Sequence, residues 1–340
     1  MTSPIDPALT AWLNQTCTFP IEGLREIPGD ASFRRYFRLT SDKASYMVMD
    51  ASQQRDCFES FLAVDQALFK LGVKVPEIMA HNQRQGYMLI SDFGDTLYLH
   101  ALNTKNADIL YKRALDSLAM MQACNGVQSW NIPHFDHHFM LRELTEFHTW
   151  VLEKYLKLNL TSTELEMLRS TYHQLCASAS AQTQVFIHRD YHSANLMLLP
   201  DNEVGVLDFQ DACRGPVTYD LVSLLRDCYI DWPDAEVQAW VAYYYDLLCQ
   251  DRMLQDVSLA QFKTWFDWMG MQRHLKAAFI FARKYLRDHT QRYLQYLPRT
   301  LNYVIKASAL YPELREFHLF MSSLVLPVPE EVLLLAGSDQ

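Results

Sequence analysis

Residues 188–209 read HRDYHSANLMLLPDNEVGVLDF, and this stretch decides which fold the rest of the chain can have. Asp190 precedes Asn195 by five positions, and Asp208 follows thirteen positions after Asn195. Two apolar runs separated by the polar turn Pro200-Asp-Asn-Glu predict a short β-hairpin. Such a hairpin returns Asn195 and Asp208 to the same end, so that their side-chain oxygens converge as a hard cation requires.

These residue types, in this order, are those that phosphoryl transfer to a hydroxyl group requires. The carboxylate of Asp190 can accept the proton of the attacking hydroxyl, and Asn195 and Asp208 can hold Mg²⁺ against the phosphates of ATP. An isolated His-x-Asp is common in proteins, but three polar residues at this spacing in an apolar setting rarely arise by chance. The stretch therefore predicts a catalytic aspartate, a metal site, and ATP and Mg²⁺ as cofactors.

The composition restricts the class of protein. With 340 residues, of which 49% are hydrophobic, the chain can bury a large core and form two lobes. Its net charge of −10 argues against nucleic acid or an anionic membrane as a partner. The seven cysteines include no C-x-x-C pair, which fits reduced thiols in a cytoplasm. Because neither a secretory signal nor an apolar run of about 18 residues is recognisable, we expect a cytoplasmic monomer that acts on a small molecule.

Strand and helix patterns alternate early in the chain, and helical periodicity dominates after about residue 96. The predicted elements are a helix over 6–16, strands over 33–39 and 46–49, a helix over 56–71, and strands over 73–78 and 87–90. This order predicts an α+β fold of two lobes. A small N-terminal β-sheet lobe over 1–92 would bind the nucleotide, and a large, mainly helical C-terminal lobe over 93–340 would carry catalysis and substrate binding.

The turn at 28–33 is a candidate for contacting the phosphates, because it opens the first predicted strand pair. Backbone amides of a tight turn made of small residues can point at phosphate oxygens. The residues concerned are Gly29, Asp30, Ala31, Ser32 and Phe33. The turn contains only one glycine, so the motif is weak, and an ordinary hairpin turn is the alternative interpretation.

The segment Ser91-Asp92-Phe93-Gly94 contains the Asp-Phe-Gly triplet that holds magnesium in protein kinases. Here the triplet precedes the His-x-Asp segment, whereas the metal aspartate must follow it, so Asp208 is the better metal ligand. Because the segment comes directly after an apolar strand at the predicted lobe boundary, we interpret it as a hinge. The carbonyl of Ser91 and the amide of Phe93 would then pair with the edge of adenine.

Kinases usually carry a lysine on the third strand, which contacts the phosphates and pairs with a glutamate of the next helix. The equivalent stretch 46–50 reads Tyr-Met-Val-Met-Asp and has no lysine, although Glu59 is a candidate for its partner. Strand alternation places Arg35 on the same face as Phe37, where a charge is costly unless it is paired. We therefore predict that Arg35, or failing that Arg34, points into the cleft towards the phosphates or Glu59.

With these residues identified, the chain resembles the aminoglycoside phosphotransferase family, which has the protein-kinase-like fold. The likeness spans nearly the whole chain, with HRDYHSAN as the catalytic loop and LDFQDACRGPVTYDLVSLLRD as the metal aspartate and following helix. GDASFRRYFR at 29–38, LDFQDACRGPVTYDL at 207–221 and QRHLKAAFIFARKYLRD at 272–288 resemble the bacterial anomeric kinases of N-acetylmuramate and N-acetylglucosamine. The resemblance implies ATP-dependent phosphorylation of an amino sugar to its 1-phosphate, a step in peptidoglycan recycling.

The charge of the predicted large lobe bears on the substrate. Residues 268–300 contain seven lysines and arginines against one acidic residue, Asp288. In this fold the acceptor binds against the helices of the large lobe. A polycationic aminoglycoside needs an acidic pocket, whereas the lactyl carboxylate of N-acetylmuramate suits a basic one. Arg273 and Lys276 are therefore candidate substrate contacts together with Asp190, and the alternative is that these charges only solvate an outer helix face.

Other functions stay open on the sequence. Kinases of aminoglycosides, choline or homoserine belong to the same fold. The missing third-strand lysine also suits a pseudokinase, a nucleotide-binding protein without turnover, although retention of Asp190, Asn195 and Asp208 argues against it. A protein-substrate kinase is disfavoured, because neither an activation-loop length nor an Ala-Pro-Glu segment follows Asp208.

Overall fold

The computed structural model describes residues 5–27, 34–42, 44–53, 55–128 and 130–326. Contacts between Cα atoms divide the chain into two compact units. Unit 1 comprises Met1–Asn103, Cys124–Ile132 and Ala194–Ala212, and unit 2 comprises Thr104–Ala123, Pro133–Ser193 and Cys213–Gln340. Each unit is therefore assembled from segments that are distant in sequence. The predicted lobe boundary after residue 92 stays a prediction.

The regular elements follow the predicted order, but the strand predicted over 73–78 was placed too early, since the structure has it at Ile78–Asn82. The strands are β1 (Gly23–Ile27), β2 (Arg35–Thr40), β3 (Ser45–Asp50), β4 (Ile78–Asn82), β5 (Tyr87–Ser91), β6 (Gln184–Ile187), β7 (Leu196–Leu198), β8 (Val204–Val206) and β9 (Cys213–Pro216). The α-helices are α1 (Pro7–Thr16), α2 (Asp56–Lys70), α3 (Tyr98–Ala101), α4 (Ala107–Gln122), α5 (His137–Phe147), α6 (Ser162–Ser180), α7 (Tyr219–Leu225), α8 (Asp234–Gln250), α9 (Leu259–Leu286), α10 (Leu297–Ser308) and α11 (Arg315–Ser323). A π-helical segment, His148–Tyr155, directly continues α5.

Unit 1 is organised by a five-stranded sheet. Its strand order is β1-β2-β3-β5-β4, and every neighbouring pair is antiparallel. Helix α1 begins after Asp6, whose carboxylate accepts a hydrogen bond from the amide of Ala8 at 2.8 Å and so caps the helix. Its apolar face, Leu9, Trp12 and Leu13, is buried in a core shared with the sheet. The predicted N-terminal helix is confirmed.

The hairpin of β7 and β8 also belongs to unit 1. The two strands pair antiparallel, with Leu196 opposite Val206. Beyond this pair, the amide of Leu207 donates to the carbonyl of Asn195 at 3.0 Å. The predicted hairpin is therefore confirmed, and it places the residue before Asp208 next to Asn195.

Unit 2 is built around α9. Most of its length is buried, and it packs against α5, α6, α7 and α10. A helix that is buried on all sides needs neighbours on all sides, and these helices supply them. Strands β6 and β9 form an antiparallel pair in the same unit, and the segment that contains Asp190 follows β6 directly. Among the described residues, no helix is long and apolar enough to cross a membrane.

Candidate active site

Asp190, the predicted catalytic residue, lies in unit 2 between two buried cations of α9. Its carboxylate is 3.1 Å from the Nζ of Lys276 and 3.5 Å from Nη2 of Arg273. Both cations are buried, whereas 34% of the Asp190 side chain is exposed. Burial by itself would raise the pKa of Asp190, but the charges of Lys276 and Arg273 outweigh burial and hold this pKa well below its usual range. Asp190 is therefore a carboxylate at neutral pH.

The same contacts define the surroundings of the two cations that were predicted to bind substrate. Arg273 donates a second hydrogen bond to the Oγ of Ser223 at 3.0 Å. Burial lowers the pKa of Lys276, and the carboxylate of Asp190 only partly restores it. In the structure, both cations hold Asp190 in place, and a direct contact of either one with a substrate stays a prediction.

A buried carboxylate, Asp220 of α7, fixes the backbone that precedes Asp190. It accepts hydrogen bonds from the amides of His188 at 2.6 Å and Arg189 at 3.0 Å. Arg189 has a φ of 77°, a backbone conformation that costs a residue other than glycine about 1–3 kcal/mol. The two hydrogen bonds to Asp220 therefore offset strain at the residue that immediately precedes the catalytic aspartate.

A further buried carboxylate, Asp227, fixes the backbone that follows Asp190. It accepts hydrogen bonds from the amide of Ser193 at 2.9 Å, from the Oγ of the same serine at 2.5 Å, and from the amide of Tyr229 at 2.9 Å. Sequence reasoning missed both Asp220 and Asp227. The available signal was two acidic residues seven positions apart in the apolar run 219–227, since buried charges require partners.

Asn195 and Asp208, the predicted metal ligands, both line a cavity of 440 Å³ in unit 1. Asp208 has a φ of 63°, a strained conformation of the kind that is concentrated at functional sites. The Oδ1 of Asp208 accepts hydrogen bonds from Arg34 at 3.1 Å and from Gln210 at 2.9 Å. No donor of the described residues is bonded to the other oxygen, Oδ2, and 43% of this side chain is exposed.

The remaining walls of this cavity come from the sheet, from the segment after β5 and from the hairpin. They include Ile27, Tyr36, Arg38, Met47, Phe61, Pro76, Ile90, Ser91, Asp92, Phe93, Gly94, Asp95, Leu97, Met197, Leu207 and Phe209. Ser91 and Phe93, the predicted adenine contacts, are among them, but their pairing with adenine stays a prediction. A mostly apolar cavity with a few polar groups is the usual form of a nucleotide site.

The segment after β5 is held by Arg38 of β2, which sequence reasoning also missed. The guanidinium of Arg38 lies 2.6 Å from the carboxylate of Asp92 and 2.8 Å from that of Asp95, and it donates to the carbonyl of Gly94 at 3.1 Å. The Asp-Phe-Gly triplet therefore ends in a turn whose conformation depends on one partly buried arginine. The side chain of Phe93 packs on Gly205 of the hairpin, where a Cβ atom would lie 2.6 Å from the ring.

The structure distinguishes the two arginines that were proposed to replace the missing lysine. Arg34, the second choice, contacts Asp208 in the cavity. Arg35, the first choice, pairs with Glu26 of β1 at 2.8 Å, and its guanidinium lies 5.0 Å from the centre of the Phe37 ring. Alternation correctly placed Arg35 on the face of Phe37, but the register puts Glu26 opposite Phe37 on the neighbouring strand. A partner within the sheet is therefore available to Arg35.

Glu59, the candidate glutamate partner of a cation in the cleft, does not contact Arg34 or Arg35. Glu59 is exposed on α2, and its carboxylate accepts a hydrogen bond from Gln83 at 2.8 Å. The candidate pairing of Glu59 with Arg34 or Arg35 is therefore not formed, because the helical periodicity of α2 turns this position outward. The predicted phosphate-loop residues Gly29, Asp30, Ala31, Ser32 and Phe33 lie outside the described residues.

The residues of the cavity fit a magnesium ion. Among the described residues, no group of three or more His, Cys, Asp or Glu side chains could hold a metal alone. Magnesium in nucleotide sites usually takes only one or two protein ligands, and phosphates and water complete its shell. One carboxylate with an oxygen that is open to the cavity, Asp208, and one amide, Asn195, match that requirement.

Comparison with known proteins also indicates a phosphotransferase. The model of the phosphotransferase enzyme family, APH, matches residues 23–253. The chain belongs to this family. The family resemblance predicted from the sequence is thereby confirmed, and the catalytic-loop and metal-aspartate segments both lie within the matched range.

Curated relatives align with this chain over most of its length. An N-acetylmuramate/N-acetylglucosamine kinase of Pseudomonas aeruginosa is 39% identical over 93% of this chain and 96% of its own length. A protein of the same name from Neisseria meningitidis is 37% identical over 87% of this chain and 89% of its own.

Solved structures establish the fold of this phosphotransferase. An ADP-bound aminoglycoside phosphotransferase superimposes with a TM-score of 0.61 at 16% identity, covering 88% of this chain and 98% of its own. A choline kinase from Streptococcus pneumoniae gives a TM-score of 0.61 at 10% identity, covering 89% and 98%. The predicted protein-kinase-like fold is confirmed.

Proposed function

We propose that the protein is an ATP-dependent sugar kinase that phosphorylates the anomeric hydroxyl of N-acetylmuramate, N-acetylglucosamine or both to the sugar 1-phosphate. Such a reaction returns cell-wall amino sugars to metabolism. The observation that carries the proposal is the environment of Asp190, a partly exposed carboxylate kept ionised by two buried cations. The names of the curated relatives supply the substrate class.

The proposed role of Asp190 is to orient the sugar. Its carboxylate accepts a hydrogen bond from the anomeric hydroxyl and takes the proton as the new bond from the sugar oxygen to phosphorus forms. The bond between the γ-phosphorus and the bridging oxygen breaks at the same time, and ADP leaves. In a loose transition state the nucleophile needs little deprotonation in advance, so a carboxylate of low pKa can serve. The rate enhancement then comes mainly from positioning.

The proposed nucleotide site is the 440 Å³ cavity of unit 1. Its hinge residues Ser91 and Phe93 would pair with adenine through the backbone, and Arg34 would contact the phosphates. Asp208 and Asn195 would hold the metal through their side-chain oxygens. A bound magnesium ion would supply charge neutralisation on the phosphates.

The decisive experiment measures ATP consumption with N-acetylmuramate and N-acetylglucosamine, and it locates the phosphate of the product by phosphorus NMR. We expect a 1-phosphate from at least one of the sugars and no reaction with the methyl glycoside, whose anomeric oxygen is blocked. Turnover of the methyl glycoside would disprove transfer to the anomeric oxygen. If neither sugar is accepted but choline, homoserine or an aminoglycoside is phosphorylated, the protein has another of the activities found in its family.

A second candidate is a nucleotide-binding protein without turnover, and the absence of a lysine from β3 favours it. The two candidates predict different behaviour of Asp190→Asn with the best acceptor. A kinase loses turnover in this variant while it still binds ADP. A wild-type protein that binds ADP but consumes no ATP with any acceptor would support the binding protein instead.

A further inference from the structure

Helix α9 carries a third cation beyond the two that hold Asp190. Lys284 lies eight residues after Lys276, which is about 12 Å along the helix axis, and helical side chains lean back towards the N-terminus. Its Nζ is 4.0 Å from the centre of the Tyr293 ring. No carboxylate of the described residues lies within ion-pair distance of Lys284, because Arg287 engages the nearby Asp288 at 2.6 Å.

A continuous row of aromatic rings connects the catalytic loop with Lys284. His192, two residues after Asp190, contacts Tyr229, with ring centres 5.5 Å apart. Tyr229 lies 4.8 Å from Tyr296, Tyr296 lies 6.2 Å from Phe281, and Phe281 lies 5.9 Å from Tyr293. All of these rings belong to unit 2, and His192, Tyr229 and Tyr296 are only partly buried, whereas Phe281 and Tyr293 are buried in the core behind them. We call this row the aromatic wall.

The charge of Asp190, at one end of the wall, acts on Lys284 at the other end. Burial lowers the pKa of Lys284, while the charges of Asp288 and Asp190 raise it. Lys284 is therefore close enough to the catalytic carboxylate to interact with its charge. Arg273 and Lys276, the cations nearest to Asp190, are already engaged by that carboxylate, whereas the Lys284 ammonium contacts an aromatic ring.

We propose that the aromatic wall is the acceptor subsite of unit 2 and that Lys284 binds the carboxylate of a carboxylated pyranose such as N-acetylmuramate. This inference rests on the proposed function and goes beyond it, because it assigns the residue that distinguishes the lactyl sugar from the neutral one. The apolar C–H face of the sugar ring packs on the partly buried rings of the wall, as apolar surfaces do on aromatic side chains. The anomeric hydroxyl faces Asp190, and the lactyl group faces Lys284.

The test compares two sugars that differ in the lactyl carboxylate. In Lys284→Met, we expect the ratio of kcat/KM for N-acetylmuramate to that for N-acetylglucosamine to fall about tenfold, the size of one charge-assisted contact. Lys263→Met is the matched control, because Lys263 lies on the same helix, 13 residues before Lys276. In this control the ratio should stay within about twofold of the wild type.

Wild-type protein provides an independent measurement that needs no variant to fold. KM for N-acetylmuramate should rise with ionic strength, since salt screens a charge pair, and KM for N-acetylglucosamine should not. An unchanged ratio in Lys284→Met, or equal losses for both sugars, would overturn the inference. Wild-type protein that phosphorylates neither sugar would instead overturn the proposed function, so the two failures are distinguishable.

Discussion

The two aspartates of the kinase motif both pair with a cation at 3.1 Å, but in different surroundings. In unit 2, the side chain of Lys276 is 5% exposed and that of Asp190 is 34% exposed, and a second buried cation, Arg273, lies 3.5 Å from the same carboxylate. In unit 1, the side chain of Arg34, the residue that precedes β2, is 13% exposed and that of Asp208 is 43% exposed. Two buried cations on a central helix are costly to rearrange, whereas the more exposed pair exchanges partners at a lower cost. These surroundings suit a fixed position for Asp190 and the metal-binding role proposed for Asp208.

The two aspartates also differ in the contacts that hold the chain around them. In unit 2, the carboxylates of Asp220 and Asp227 hold the backbone on both sides of Asp190. In unit 1, the described contacts of Asp208 are made with side chains, Arg34 and Gln210. Preorganised geometry suits the orienting role proposed for Asp190, while adaptable side-chain contacts suit the metal-binding role proposed for Asp208.

The largest expected effect separates the roles of the two aspartates. In Asp190→Asn, kcat should fall about 10³-fold, because the amide cannot accept the sugar's proton, and the affinity for ADP should not change. In Asp208→Asn, magnesium-dependent affinity for ADP should fall as well. Single-turnover kinetics and calorimetric titration of ADP measure both effects. Loss of ADP binding in Asp190→Asn would contradict the distinction.

The next effect tests whether the buried cations fix the charge of Asp190. In Lys276→Met, kcat should fall about 10- to 100-fold, and the pKa of Asp190 should rise because one compensating charge is lost. Activity is lost as pH falls through this pKa, which in the wild type lies well below the ordinary range of a carboxyl group. We therefore expect kcat/KM of the variant to fall in mildly acidic buffer, where that of the wild type does not. Lys263→Met, on the same helix, is the control. Equal acid sensitivity of Lys276→Met and the wild type would mean that Lys276 does not set the charge of Asp190.

A smaller effect compares the two neighbouring arginines of unit 1. In Arg34→Ala, KM for ATP should rise about fivefold, the equivalent of about 1 kcal/mol, because this guanidinium lies at Asp208. In Arg35→Ala, KM for ATP should stay within about twofold, since Arg35 pairs with Glu26. Steady-state kinetics at saturating acceptor measures both. Equal KM values in the two variants would remove the proposed role of Arg34.

The smallest effect concerns a buried carboxyl in each unit. Both oxygens of Asp220 accept amide hydrogen bonds, whereas the Oδ2 of Asp65 on α2 has no partner among the described residues. Burial raises the pKa of Asp65 to about 7. Stability should therefore decline between about pH 4, where the unfolded chain ionises, and pH 7, where the folded protein does.

Asp65→Asn should remove the contribution of Asp65 to this decline, whereas that of Asp220, whose pKa burial raises to about 6, stays. The melting temperature of the variant should exceed that of the wild type by a few degrees at pH 8, and the difference should shrink towards pH 4. Thermal melting followed by circular dichroism at both pH values measures it. A constant difference between the variant and the wild type would show that Asp65 is not the titrating group.

The sequence by itself determined the parts of the site that are close along the chain. Asp190, Asn195 and Asp208 lie within 19 residues, and the turn at 200–203 forces the return that places Leu207 against Asn195. Strand alternation and helical periodicity are also local, so the N-terminal helix and the hairpin followed from the sequence pattern. The basic composition of 268–300 singled out Arg273 and Lys276 as candidate substrate contacts, which stays a prediction, but it did not indicate their pairing with Asp190.

Only the tertiary structure decided which groups pair. Lys276 reaches Asp190 across 86 positions, and Arg34 reaches Asp208 across 174. The choice between Arg34 and Arg35 depended on the β1–β2 register, which supplies Glu26 to one of them. Spacing along the chain fixes local geometry. Packing of the folded chain decides which charges pair, because an unpaired buried charge is costly however far away in the sequence its partner lies.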